Sequence, residues 1–204
     1  MIATTRSSQR RWLAAVLLSG LGFAWSAHAA EVRTVDVSHG DGRYRVYLDA
    51  RLDAPRHAVF SVITDYENIH RLHRRIRESR VVRRPRPDVV EVFTLVRGCV
   101  AMLFCKSLRR VERITESPPG ELVAEVIPAE SDVKFGRVLW RLRPDGDGTI
   151  LRYESQMEPD FWVPGLLGDD LLARSLLRTA RDMIDTVEIL ARDRGVGVAT
   201  EGRQ

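Results

Sequence analysis

Residues 170–192 read DLLARSLLRTARDMIDTVEILAR, and residues 158–164, EPDFWVP, lead into them. Leu172, Leu176, Ala180, Met183, Val187 and Leu190 recur at steps of four and three, which places them on one face of a helix. Arg174, Arg178, Arg181, Asp182, Asp185, Glu188 and Arg192 fall on the opposite, wet face. There Asp170/Arg174, Arg178/Asp182, Arg181/Asp185 and Glu188/Arg192 are spaced to pair at i,i+4. Asp169 or Asp170 suits the positive end of the helix dipole, Arg192 and Arg194 suit the other, and Gly195 reads as a stop. At 1.5 Å per residue such a helix is roughly 35 Å long, enough to lie across a whole sheet. The chain upstream is expected to build that sheet.

From Arg43, the residues Tyr44, Val46, Leu48, Ala50 and Leu52 alternate with polar partners, the pattern of a half-buried strand. Asp53-Ala54-Pro55 offers a helix cap and a first-turn proline. Ala58, Val59, Val62 and Ile63 give one short helix, Asp65-Tyr66-Glu67-Asn68 interrupts it, and Ile69 and Leu72 suggest a second. Strand-like segments follow at Ile76–Arg84, Val89–Arg97, about Ala101–Ile114 and Glu121–Ile127. Pro85-Arg86-Pro87-Asp88 and Ser117-Pro118-Pro119-Gly120 are turn chemistry between them. A hairpin closes the series: Val138, Trp140 and Leu142 share a face of one strand, and Leu151, Tyr153, Ser155 and Met157 a face of the other, across residues 144–148. Strands in a run without alternating helices argue an antiparallel sheet of six to seven strands, hence α+β. The expected organisation is a signal over residues 1–29, a flexible leader over 30–42, one domain over 43–193 and a loose tail over 194–204.

The signal reading rests on Arg6, Arg10 and Arg11, the apolar stretch Trp12–Trp25 and the small-x-small run Ala27-His28-Ala29, with cleavage expected after Ala29. That stretch is short of the roughly 20 apolar residues a spanning helix needs. Loss of three arginines and no acid takes the formal charge from +4 to +1. The high pI therefore gives no case for nucleic acid. Cys99 and Cys105 would meet an oxidising compartment. Six residues apart on one straight strand they would lie about 20 Å from each other, so a bond needs the chain to turn between them. A disulfide and two buried thiols both stay open.

Leu52-Asp53-Ala54-Pro55 leading to Val62-Ile63-Thr64-Asp65-Tyr66-Glu67 resembles the opening of START-like, Bet v 1-related (SRPBCC) domains, in particular the polyketide cyclase and coenzyme Q-binding group. Trp140 with Gly148-Thr149-Ile150-Leu151-Arg152-Tyr153, then Glu158-Pro159-Asp160-Phe161-Trp162-Val163-Pro164, is similar to the closing hairpin and helix start of exported bacterial members. The likeness spans about Arg43–Arg192. It implies a helix-grip fold, a curved sheet gripping the long C-terminal helix with two short helices after the first strand. It also implies a cavity for an apolar ligand such as a lipid, quinone or polyketide-like ring.

Such a cavity needs aromatic and aliphatic walls with a few polar groups. Trp140, Tyr153 and Met157 from the hairpin, facing Leu176, Met183 and Val187 from the helix, would supply them, with Tyr66 at the mouth. The plainer alternative is that these residues fill a core. Trp162, within the apolar run Phe161–Leu167, would gate the cavity or touch a bilayer surface transiently if exposed; otherwise it staples the helix start. The eight arginines of His70–Arg86 suit lipid phosphates or, more plainly, a solvated sheet edge. His70 and His73 without a third ligand make no metal site. No serine elbow, phosphate-cradling loop or zinc pattern is present, so no catalytic residue and no cofactor is assigned. The expected function is binding of an apolar or amphipathic small molecule by a periplasmic or secreted monomer. The alternatives are a cyclase or dehydrase using the same cavity and a protein-interaction module.

Overall fold

The computed structural model describes residues 30–100, 104–160 and 168–201. Eight strands form one antiparallel sheet: β1 (Glu31–Gly40), β2 (Arg43–Leu52), β3 (Ile76–Arg86), β4 (Val89–Val100), β5 (Phe104–Ser117), β6 (Glu121–Val126), β7 (Val133–Asp145) and β8 (Gly148–Pro159). The spatial order is β1-β2-β8-β7-β6-β5-β4-β3, so β2 crosses to pair with β8 while β3 to β8 run as a meander. Between β2 and β3 lie α1 (Arg56–Ile63) and a 3-10 turn (Tyr66–Arg71), and α2 (Gly168–Glu201) closes the chain.

The expected leader is a strand. Asp41 and Gly42 both take positive φ, 54° and 75°, the two-residue turn whose twist matches a hairpin. Gly40 then pairs with Arg43, and Val35 and Val37 lie opposite Leu48 and Val46. That hairpin raises the strand number from six or seven to eight among the described residues.

Sheet parity places Leu48, Leu52, Leu151, Val90 and Val92 on the inner face, each essentially unexposed. α2 seats Ala180, Ile184, Val187 and Ala191 in the same core, and its closest backbone approaches are to α1, β1, β2 and β4. α2 differs from its sequence reading in three respects. It runs on to Glu201, through the expected tail, and Gly195 lies inside it beside the Pro55 ring. A helix-interior glycine costs about 1 kcal/mol, a cost that packing at this crossing offsets: Arg194 donates to the Ser61 carbonyl at 2.6 Å and pairs with Asp65. Ile184, outside the expected apolar stripe, is fully buried. Finally, two acids of the wet face reach other elements: Asp182, itself exposed, lies 3.7 Å from His73, and Glu188 is buried.

Glu188 is buried because a backbone group needs it. Asp53 N–H, at the corner between β2 and α1, donates to Glu188 Oε1 at 3.1 Å, since a buried donor must find an acceptor. Oε2 has no partner among the described residues. Burial, reinforced by Asp53 and Asp185, pushes this carboxyl above its ordinary value despite the Asp53 N–H and Arg192. A raised acid binds its proton more tightly in the native state, so its contribution becomes unfavourable as pH rises above the unfolded carboxyl range. Glu188→Gln should therefore flatten the fall in Tm between about pH 5 and pH 8, by a few degrees at the upper end. Thermal unfolding across that range checks it, and an unchanged slope would show that Glu188 ionises freely.

The outer face of the sheet is ionic. Arg43–Glu158, Arg141–Glu121 and Arg152–Asp49 pair across neighbouring strands, and Arg51 of β2 reaches Asp145 at the end of β7. Glu91, 1% exposed, lies between Arg83 and Arg113, and the hydrogen bond from Arg83 is the main cause holding its carboxyl below the ordinary value. The arginine-rich stretch falls mostly on β3, an edge strand.

Candidate functional site

The interior has two unlike halves. Toward α1 it is solid: Leu48, Leu52, Leu151, Val59, Ile184 and Val187 are at most 0–2% exposed. Further along the same inner face, residues on β6 and β8 are only half-buried: Val126, Tyr153, Ser155 and Met157, and on the facing helix Leu176 and Met183. Strand register explains the grouping. Trp140 pairs with Tyr153, Val138 with Ser155 and Gly136 with Met157, while Glu112 sits opposite both Val92 and Val126.

The Trp140 and Tyr153 rings meet edge to face, 4.8 Å between centroids at 67°, a geometry that adds about 0.5–1.5 kcal/mol to their burial. Burial raises the Tyr153 phenol above its ordinary value; the Ser155 hydroxyl and Arg110 oppose this, and Glu112 adds to it. Tyr153 therefore remains a neutral O–H donor at physiological pH. Arg110 and Glu112, two residues apart on β5, reach the same side and pair, Nε to Oε2 3.0 Å. Even so, Arg110 Nε and Glu112 Oε1 are buried without a hydrogen bond among the described residues. Each such group costs about 1–3 kcal/mol, and orphaned polar atoms on an inner face are what a polar ligand group or water would satisfy. Phenol, guanidinium and carboxylate thus form one polar patch in apolar surroundings.

Gly136 shapes the floor of this half. A Cβ there would stand 2.5 Å from Val126 Cγ2 and 3.3 Å from its Cβ, so only glycine lets Val126 lean against β7.

Of the residues singled out in the sequence, Trp140, Tyr153 and Met157 share this face, with Leu176 and Met183 on the helix that covers it. Val187 lies in the solid half. Tyr66 is buried on the 3-10 turn and donates to Glu116 Oε1 at 2.9 Å; burial, then Glu116, drives its phenol far above the ordinary value. Trp162 lies outside the described residues. Arg110 and Glu112 were not anticipated, and their alternation with Val111 along β5 leaves either face open as the inner one. The turn that a disulfide requires is the reversal from β4 to β5: Cys99 is the register partner of Cys105, Cys105 is disulfide-bonded, and the chain has only these two cysteines.

A hollow of about 40 Å³ on the outer face is lined by Asp49, Arg141, Arg143, Ile150 and Arg152. Ligand pockets run to about 300–1,000 Å³, so this one is too small for a lipid or ring system. Among the described residues no cluster of His, Cys, Asp and Glu could hold a metal ion, and no helix is long and apolar enough to cross a membrane.

Residues 43–191 match the family described as polyketide cyclase / dehydrase and lipid transport. Several solved structures share the fold. The ZhuI aromatase/cyclase from Streptomyces sp. R1128 is 15% identical with a TM-score of 0.60, over 74% of this chain and 95% of that one. A START superfamily protein from Mycobacterium smegmatis is 18% identical with a TM-score of 0.56, over 72% and 98%. A STAR-related lipid transfer protein from Xanthomonas axonopodis is 14% identical with a TM-score of 0.60, over 81% and 99%. No curated protein matches the chain.

Proposed function

Because the chain belongs to the polyketide cyclase / dehydrase and lipid transport family, we propose that it is an exported domain that binds an amphipathic small molecule under α2, without covalent chemistry. The observation that carries this is the half-buried Tyr153 beside the Arg110–Glu112 ion pair, with Arg110 Nε and Glu112 Oε1 buried without a hydrogen bond among the described residues on a largely apolar inner face. The ligand suited to it has an apolar body, as in a lipid, quinone or polyketide-like ring, and one polar end. That end accepts from Tyr153 or Arg110 and donates to Glu112.

Export is supported by the basic start, apolar stretch and Ala27-His28-Ala29 of the sequence, and by the disulfide at Cys105, since such bonds persist in oxidising compartments. Cys105 is exposed, so a reducing cytosol would open it.

Native mass spectrometry of protein purified without detergent tests the binding reading: a retained hydrophobic mass is expected, and a chain that is always empty would favour a protein-interaction module. With anilinonaphthalenesulfonate as probe, Tyr153→Phe together with Arg110→Met should weaken binding roughly tenfold, the worth of one or two hydrogen bonds. Unchanged affinity would remove the patch from the site. The Glu112 carboxylate near the Tyr153 phenol favours one second reading, a cyclase or dehydrase acting at this patch. Turnover of a poly-β-ketone thioester, lost in Glu112→Gln with probe binding kept, would establish it.

A further inference from the structure

The residue before β1 already belongs to the interior. Ala30 is 9% exposed and lies in the core cluster with Ala180, Ile184 and Val187 of α2. Its carbonyl accepts from Val32 N–H at 2.9 Å, and its own N–H donates to the Asp185 carboxylate. Asp185 is half-buried and makes no ion pair among the described residues. Around it stand Arg181, Asp182 and Glu188 of α2. On β1 are Glu31 and Arg33, paired with each other at 4.0 Å, and on β2 Arg51, opposite Glu31 and tied to Asp145. Burial and Asp182 hold the Asp185 carboxyl above its ordinary value. A half-buried carboxylate with a backbone donor and the Arg181 charge nearby, but no ion pair among the described residues, is an incomplete site.

We infer that cleavage between Ala29 and Ala30 completes it: the new ammonium of Ala30 seats on Asp185, and processing locks β1 to α2. This rests on the export reading proposed above. The bond that breaks joins the Ala29 carbonyl carbon to the Ala30 nitrogen. Water supplies the oxygen, Ala29 departs as a carboxylate with the preceding segment, and the Ala30 nitrogen becomes an ammonium in place. The nitrogen that donated as an amide then donates as a cation, the stronger form of the same hydrogen bond. An ammonium stabilised by folding has a raised pKa. Its contribution is complete below the ordinary amine range of about 8 and fades as pH rises through the folded value.

The test compares chains with defined N-termini, one beginning at Ala30 and one retaining Ala29, each released from a cleavable fusion. At about pH 6.5 the Ala30 form should melt roughly 3 °C or more above the Ala29 form. That gap should close as pH rises toward about 10, and should also vanish in Asp185→Asn or after Nα-acetylation of the Ala30 form. Acetylation gives the comparison even if Asp185→Asn fails to fold. Equal melting points at pH 6.5, or a gap that survives acetylation, overturn the seat. The N-terminal sequence of protein recovered outside the cytoplasm tests export separately. A cut after Ala29 without a melting gap overturns the seat alone; no cut overturns the export reading whatever the melting data show.

Discussion

Ile184→Ala should destabilise the folded chain by about 3–4 kcal/mol, whereas Met183→Ala, one residue earlier on the same helix, should cost only about 1 kcal/mol. Ile184 is fully buried in the solid half of the interior, and Met183 is half-buried over the Tyr153 half. Truncation of a close-packed side chain loses transfer free energy and leaves a cavity, whereas truncation beside open space loses mainly the first. Urea denaturation of both variants gives the comparison. Equal, large costs would mean that side chains are packed to native density along the entire length of α2, and the ligand reading would fail with them.

Gly136→Val should cost about 3 kcal/mol, and Val126→Ala in the same chain should return part of it. The added Cβ meets Val126 Cγ2 at 2.5 Å, a distance real side chains do not tolerate, so either β7 or Val126 has to shift. Removing the Val126 methyls takes away the obstacle, so the two substitutions should couple favourably by about 1 kcal/mol or more in a double-mutant cycle. Strict additivity would locate the strain elsewhere on β7, such as the irregular register near Val133 and Phe135. The double variant also moves side-chain bulk from β6 to β7 in the floor of the proposed site, so its probe affinity reports on the same geometry.

Most of this architecture was legible where period and turn chemistry agree. Trp140 opposite Tyr153 and Leu142 opposite Leu151 follow from alternation across the turn at Gly146, whose φ is 59°. The breaks at Pro85–Asp88 and Ser117–Gly120 likewise fall where β3 gives way to β4 and β5 to β6, although Pro85, Arg86 and Ser117 still belong to the strands. β1 was missed because its composition is polar and only Val32, Val35 and Val37 repeat. The signal that could have found it is Asp41-Gly42 flanked by alternating residues, a strong short-range hairpin mark. Glu188 was misplaced because a helical stripe assigns faces from side-chain polarity, and Ile184 was left out because the steps of four and three passed it by. Here a backbone N–H at Asp53 called a carboxylate inward, which only the tertiary crossing of β2, α1 and α2 could show. Gly195 was misread for a related reason: propensity predicts a stop, but contacts with Pro55 and Ser61 carry the helix onward.

The candidate site was half legible. Aromatic and aliphatic walls come from parity along β7 and β8, but the polar patch does not. In Leu108-Arg109-Arg110-Val111-Glu112-Arg113-Ile114, Val111 is buried on one face and Ile114 on the other. Ser131, from the loop before β7, accepts from Val111 N–H at 2.9 Å. Hydrophobic alternation therefore points both ways, and only the pairing of Glu112 with Val92 and Val126 decides that Arg110 and Glu112 look inward.

The 3-10 turn also guards a vulnerable rim. Glu67 Oε1 accepts from Val81 N–H at 3.1 Å and the Glu67 carbonyl accepts from Ser79 Oγ at 3.2 Å, so β3 spends outward donors within its own molecule. A stray extended segment arriving at that rim would have to evict bonded groups while facing a file of arginines. Amyloid-like growth by strand addition is thereby discouraged at β3.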